Sequence, residues 1–273
     1  MEKIIRSMSY ANCGHGIMEE YMKVLAIVQA RCSSSRLPGK VIKRLAGKPM
    51  IVHEIERLER SKLIDEIVLA TSTDSSDDAL ASIVLGTGTE VFRGNLEDVL
   101  DRYYQCAERH SPEHVVRITG DCPVIDWRLI DTVIKTHIEH GNDYTNLSGD
   151  YPDGLDTEVM KFSVLKEAWE KAKMLSEREH VTLYIHNHKD DFRMERIPCD
   201  KKLGDLRWTV DEPQDFSFVE KVFSELYGDN PDFAMDDILE LLDRKPELAH
   251  INSGIMRNEG LAKSLANDRE IDG

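Results

Sequence analysis

The sequence predicts an α/β fold with three layers, helices covering both faces of a mainly parallel sheet. Three observations carry that expectation. Short apolar runs rich in β-branched residues recur at 24–28, 66–71 and 115–118, the pattern of buried parallel strands. Helical patterns with one apolar face lie between them, at 50–58 and 96–109. Residues able to do chemistry stand directly after the runs, and ligands of open α/β sheets gather beyond the carboxyl ends of strands.

Composition narrows the function classes. The chain has 273 residues, 41% of them hydrophobic, enough for one large domain. A formal net charge of −16 argues against nonspecific nucleic-acid binding and against an anionic membrane surface. No apolar run reaches membrane-spanning length. Cys13, Cys32, Cys106, Cys122 and Cys199 are odd in number and form no C-x-x-C pair. That pattern suits free thiols in a reducing cytoplasm better than a disulfide framework or a zinc site. Residues 1–22 lack the apolar core of a signal peptide and read as a disordered leader, with Met18 and Met22 as alternative starts. Cys13-Gly14-His15 is too small a set for a metal site.

The first strand, 24–28, opens into a loop of small and polar residues that closes at Leu37-Pro38-Gly39-Lys40. Arg31, Arg36 and Lys40 stand in it, with Lys43, Arg44 and Lys48 close behind, and no Asp or Glu occurs from Tyr21 to His53. Loop N–H groups and fixed cations together can replace the hydration of a polyphosphate. The competing reading is a set of solvated loop charges. Pro49 opens the first helix, where Glu54, Glu56 and Glu59 alternate with Arg57 and Arg60 as on a solvated face. The second strand, 66–71, leads to Asp74, which either caps the next helix or lines a nucleotide pocket, the cap being favoured. A short strand at 90–95 ends in a glycine turn. In the helix at 96–109, Asp98 and Arg102 stand four apart, as a surface ion pair or as part of a pocket lining.

The strand at 115–118 ends on Gly120-Asp121-Cys122-Pro123. Asp121 thus faces the same crevice as the first loop, where its chemistry is to hold Mg2+ against phosphates. Asp126 is better placed to cap the helix that follows. After Asn142 the alternation breaks. A turn and short strand at 151–158 precede helical stretches at 163–174 and 177–188 and a strand at 192–197. His186 and His188, two apart, are expected to point away from each other at the surface. A last strand at 206–213 ends on Asp211, and a helix follows at 214–227. Asp121 and Asp211 can meet only if both strands border one crevice. A further amphipathic helix is expected at 233–242, and 251–273 is a tail or a weak helix without a motif. The domain is expected at 23–250, with an insertion at about 148–205.

QARCSSSRLPGKVIKRLAGKPMI resembles the opening of the sugar cytidylyltransferases, which activate KDO and sialic-acid-like sugars as CMP derivatives, and within them the spore-coat polysaccharide biosynthesis protein F branch. Gln29, Ala30, Arg31, Ser34, Arg36, Leu37, Pro38, Gly39 and Lys40 match its pattern, and Ser33 departs from it where many relatives have Gly. The likeness runs from about 24 to about 242. Further matches are Arg93, Gly94, Asp98 and Arg102, then Asp153, Gly154, Asp156 and Glu158, then Arg178 to Thr182, and Asp211 with Asp215. Leu183 stands where relatives usually have Pro.

The resemblance implies a Rossmann-like, GT-A-like nucleotidyltransferase fold and Mg2+-dependent transfer of CMP from CTP to an acidic sugar, releasing pyrophosphate. It implies Arg31, Lys40, Asp121 and Asp211 as catalytic residues, the two aspartates being metal ligands. Ala30, Arg31, Ser33, Ser34, Arg36, Lys40, Arg93 and Gly94 would hold the nucleotide. Asp153, Gly154, Asp156, Glu158, Arg178 and His180 would meet the sugar, although His180 could equally fix a dimer or pack. The insertion would close the sugar site and join a homodimer. Two other readings are transfer to a different small phosphorylated acceptor, against which the Q-A-R opening speaks, and a nucleotide-binding module without catalysis. No Ser-His-Asp or Cys-His spacing suggests a protein nucleophile.

Overall fold

Val24–Gln29 (β1) is buried from Val24 to Val28, as a strand covered on both faces must be. Its side chains alternate between two cores: Val24, Ala26 and Val28 face one, Leu25 and Ile27 the other. The structure, a computed structural model, describes residues 8–9 and 20–271. Cys13-Gly14-His15 and most of the expected leader lie outside the described residues.

Six further strands join β1 in one sheet: Glu66–Ser72 (β2), Glu90–Gly94 (β3), His114–Thr119 (β4), Tyr144–Leu147 (β5), Glu158–Lys161 (β6) and Met194–Ile197 (β7). Their order is β7-β5-β6-β4-β1-β2-β3. β4, β1, β2 and β3 are parallel, so their carboxyl ends share one edge. β6 runs antiparallel to both β4 and β5, and β7 returns parallel to β5. Two short antiparallel pairs stand outside this sheet, Met8–Ser9 with Glu20–Tyr21 and Arg44–Leu45 with Lys48–Pro49.

Helices cover both faces. Met50–Leu58 (α1), Asp78–Leu85 (α2), Trp127–His140 (α4), Pro213–Leu226 (α8) and Met235–Arg244 (α9) contribute to one core. Val99–His110 (α3), Phe162–Lys171 (α5) and Leu183–Asn187 (α7) build the other. Leu175–Glu179 (α6) precedes α7, and Glu259–Ala266 (α10) lies near the end of the chain. Asp74, Asp98 and Asp126 each accept a backbone N–H at the start of a helix, as caps do.

Three local expectations need correction. α1 has no fully solvated face: Glu54 and Arg57 are 0% and 2% exposed. Arg57 donates to Phe233 O at 2.8 Å and lies over the Phe233 ring, because the segment before α9 closes that side. The helix expected at 177–188 is broken between α6 and α7 at His180, whose carbonyl accepts Leu183 N–H at 2.6 Å. Proline at Leu183 could not make that bond. Finally, 206–213 is not a strand. Its amides bond to loops instead: Trp208 and Thr209 N–H to Asp153 O, and Val210 N–H to Asp121 O. Only Arg207 bridges to a neighbour, Asp153.

Candidate active site

The loop after β1 is shaped by backbone and one buried acid. Gly39 has φ 67°, a conformation glycine adopts freely, and its N–H reaches back to Cys32 O at 2.9 Å. Asp77, 0% exposed, accepts Cys32 N–H at 2.7 Å with one oxygen and Ser72 N–H with the other, tying the loop to the end of β2. The result is a cavity of about 320 Å³ lined by Ala30, Arg31, Ser34, Ser35, Arg36 and Lys40. Gly120 closes its far wall. A Cβ there would stand 2.6 Å from Ala30 Cβ, so only glycine lets Asp121 approach this closely.

Lys40 is the centre of the site. Although 8% exposed, its ammonium donates to Asp121 Oδ2 at 3.0 Å, Asp211 Oδ1 at 2.8 Å and Val210 O at 2.7 Å. Burial opposes its charge, but Asp121 and Asp211 outweigh burial and its pKa is raised. Burial likewise works against the Asp121 carboxylate, and Lys40 pulls it below the ordinary range. Arg36 reaches Asp211 at 2.8 Å, and Arg207 holds the other Asp211 oxygen at 3.0 Å. The two aspartates therefore share one cation at the parallel strand ends, though Asp211 arrives on a loop. Asp215 belongs to the same network. Fully buried, it accepts Asp211 and Glu212 N–H and pairs with Arg207.

A second cavity of about 400 Å³ shares Arg36, Asp121 and Asp211 with the first. Asp153, Asp156, Glu158, His180 and Thr182 line it. Gly154 has φ 105°, and a Cβ would stand 2.4 Å from Thr209 N, so glycine is required where this loop meets 207–210. Arg207 pairs with Asp153 at 2.7 Å, and Arg257 with Asp156 at 2.7 Å. Burial, then Asp156, pushes Asp153 up to about 6. Glu158 is bonded by Arg117, Tyr144 and Thr182; burial would raise its pKa, but Arg117 holds it far below the carboxylate range.

Other expected site residues make contacts of a different kind. Ser33 is exposed and off the cavity wall, where Ser35 stands instead. Arg93 bonds to Ser72 O and Asp74 O and pairs with Asp78, because β3 ends beside that turn. Gly94 serves packing: a Cβ would meet Arg102 and Phe92 at 3.0 Å. Asp98 and Arg102 do not pair. Arg102 is fully buried and donates to Asn95 O, and its Nε and Nη2 have no partner among the described residues. Arg178 is spent on Asp98 and Trp169 O. His180 Nε2 lies 2.9 Å from Ser264 Oγ, and burial lowers its pKa. His186 is not a plain surface residue: it lines the second cavity with Nε2 3.2 Å from Tyr144 Oη. Lys43 lies over Phe216, and Lys48 pairs with Glu56, so neither reaches the site.

Sequence reasoning missed Glu54, Asp77, Arg117, Arg207 and Asn252. A charge inside an apolar run was the available signal for Arg117. Glu54 accepts Cys122 N–H behind Asp121, and Asn252 donates to Arg207 O and Asp215. The pattern of residues near these two gave no signal.

The sequence matches the family model described as cytidylyltransferase over residues 25–249. It is 33% identical over 234 residues to the spore coat polysaccharide biosynthesis protein SpsF of Bacillus subtilis, covering 83% of this chain and 96% of that one. It is 39% identical over 121 residues to the 3-deoxy-manno-octulosonate cytidylyltransferase of Geobacter sulfurreducens, 44% of this chain and 47% of that one. A solved cytidylyltransferase from Leptospira borgpetersenii superposes with a TM-score of 0.82 at 26% identity, covering 87% of this chain and all of that one. The mostly parallel sheet with helices on both faces is the Rossmann-like nucleotidyltransferase fold, and the chain belongs to the cytidylyltransferase family.

Proposed function

We propose that this nucleotidyltransferase moves CMP from CTP to an acidic, KDO- or nonulosonate-like sugar, releases pyrophosphate, and serves surface-polysaccharide biosynthesis. The observation that carries the reading is the single Lys40 ammonium bonded to both Asp121 and Asp211, where the two cavities join. The names of the relatives in Bacillus and Geobacter support the substrate class.

Arg31, Ser34 and Arg36 would hold the triphosphate with the loop amides, and Lys40 would stand beside the phosphorus under attack. A sugar oxygen attacks the α-phosphorus in line. Its bond to phosphorus forms as the bond to the β-phosphate oxygen breaks, and pyrophosphate leaves. Arg117, His180 and His186 line the acceptor cavity and suit the sugar's acid group, while Glu158 and Asp156 suit its hydroxyls.

The residues fit a magnesium ion. Asp121 and Asp211 offer hard oxygen donors, their side chains are 24% and 21% exposed, and both face the shared cavity. Mg2+ is commonly held by one or two carboxylates while keeping several waters. When bound, the ion would neutralise phosphate charge as the leaving group departs.

We propose further that 23–250 forms the domain with its insertion at 148–205, and that two copies join through the insertion. Its edge strand β7 supports the second point, since β5 pairs with it on one side only. Free thiols at Cys32, Cys106, Cys122 and Cys199 support a cytoplasmic setting. Among the described residues no helix is long and apolar enough to cross a membrane.

The test is pyrophosphate release with CTP across KDO, sialic, legionaminic and pseudaminic acids, beside the other three NTPs. One acid should support turnover with CTP. Turnover only with another NTP, or only with a phosphorylated acceptor, would overturn the assignment. CTP binding without release on any acceptor would point to a binding module.

A further inference from the structure

The segment after residue 250 lies beyond the part of the chain that the family model matches, yet it forms part of the site wall. Gly260 and Lys263 line the first cavity, and Asn258, Glu259 and Leu261 the second. Glu259 Oε2 lies 3.3 Å from Arg36 Nη1. Arg36 already faces Asp211 at 2.8 Å and Glu212 at 3.6 Å, so three carboxylates crowd one guanidinium that lines the cationic cavity.

From these contacts we infer that residues 253–271 form a releasable latch, with Glu259 an internal anion that a nucleotide phosphate displaces from Arg36. The inference rests on reading the first cavity as a triphosphate site. Charge drives the exchange. A triphosphate brings several negative charges to the cavity that Arg31, Arg36 and Lys40 line, and Glu259 is repelled by what its partner attracts.

The attachment is of the kind that lets go. None of the α10 side chains is buried, and Leu265 and Ile271 are 49% and 39% exposed. What holds the segment is polar. Ser264 bonds to Glu179 at 2.6 Å and lies 2.9 Å from His180, while Asp268 takes Ser176 Oγ at 2.6 Å. Arg257 pairs with Asp156, and the backbone meets Lys173 and Leu175. These contacts lie at the surface or only partly buried, polar contacts of that kind contribute little each, and segments without apolar burial open at low cost. The fixed point is Asn252, 4% exposed and bonded to Arg207 O and Asp215. Between it and α10 stand Gly254 at φ 82° and Asn258 at φ 59°, two left-handed positions where the chain can turn. Lys263 also pairs with Glu259, at 2.7 Å within α10, so the acid has a partner besides Arg36.

The latch is tested with the full chain in two measurements, MgCTP affinity and the rate of trypsin cleavage after Arg257, Lys263 and Arg269, with fragments identified by mass. Glu259→Gln should bind MgCTP roughly two- to fivefold more tightly than the wild type, the size of one exposed ion pair. MgCTP should speed cleavage of the wild-type tail. Unchanged affinity in Glu259→Gln, or cleavage that nucleotide slows or leaves alone while it binds, overturns the latch without touching the transferase reading. If CTP fails to bind but inorganic triphosphate speeds cleavage, the cytidine assignment falls and the latch stands. If neither binds either protein, both fall.

Discussion

Arg178 closes on Asp98 with three hydrogen bonds of 2.6 to 3.0 Å, fastening α6 to the first turn of α3. Asp98 at the same time caps α3 through Asp101 N–H. These bonds tie Arg178 into the scaffold. Arg178→Ala should cost roughly 2–4 kcal/mol, as the loss of one partner of a largely buried pair does. The Michaelis constants for CTP and sugar should change less than about twofold. Urea midpoints and initial rates measure the two effects separately. A large rise in KM at unchanged stability would return Arg178 to the sugar site.

Asp121→Asn and Asp211→Asn should each lower kcat by about a hundredfold or more, the usual scale for removing a charge that stabilises a phosphoryl transition state. Circular dichroism should show the fold intact. Stability should fall modestly, more for Asp211→Asn, since Asp211 also holds Arg36 and Arg207. Removing divalent ions with a chelator should stop the wild type, and Mg2+ should restore it. Near-normal turnover of either variant with Mg2+ would end the assignment of that residue as a metal ligand.

His114 and His137 meet in the interior, with His137 Nε2 3.1 Å from His114 Nδ1 and His137 Nδ1 3.1 Å from Thr145 Oγ1. Burial holds His114 down to about 4, and burial with His114 beside it holds His137 down to about 3. An unfolded histidine takes up its proton near 6.5, so between that value and the folded ones the unfolded chain binds more protons. Stability is therefore full above about pH 6.5 and falls on acidification, by up to about 1.4 kcal/mol per pH unit for each histidine. Urea midpoints between pH 7 and pH 5 should show this slope. It should flatten in His137→Gln. Equal slopes in the two proteins would mean that the histidines are not neutral in the fold.

Gly154→Ala should destabilise by more than about 2 kcal/mol, since a positive φ and a backbone clash act together. The added Cβ would meet Thr209 N at 2.4 Å and Trp208 C at 2.6 Å. Both residues donate N–H to Asp153 O, and that loop leads to Asp211, so kcat should fall as well. A thermal melt and a rate assay decide. Wild-type behaviour in both would mean that the 153–154 loop does not hold Asp211 in place.

The residues that were legible in the sequence are those whose role is local. β1 reads as a strand because five apolar residues run together, and Asp126 reads as a cap because a helix pattern starts beside it. Asp121 and Lys40 were legible because loops after parallel strands share an edge. Residues whose partners are remote in sequence were harder. Glu54 looks like part of a charged helix face, and only the folded chain brings Cys122 N–H to it. The stretch 206–213 has strand composition, but its neighbours are loops, so no ladder forms. Arg93 matches its motif and Ser33 stands inside one as a departure, and in both cases side-chain direction follows the local backbone, which a motif does not state.

Lys40 takes its two acids from positions 81 and 171 residues further along the chain. A polypeptide cut anywhere between Lys40 and Asp211 leaves the ammonium and one of its carboxylates on separate pieces. The cluster of one ammonium and two carboxylates is thus a property of the finished molecule, and its assembly reports completed folding in a way that a probe of any single helix or strand does not.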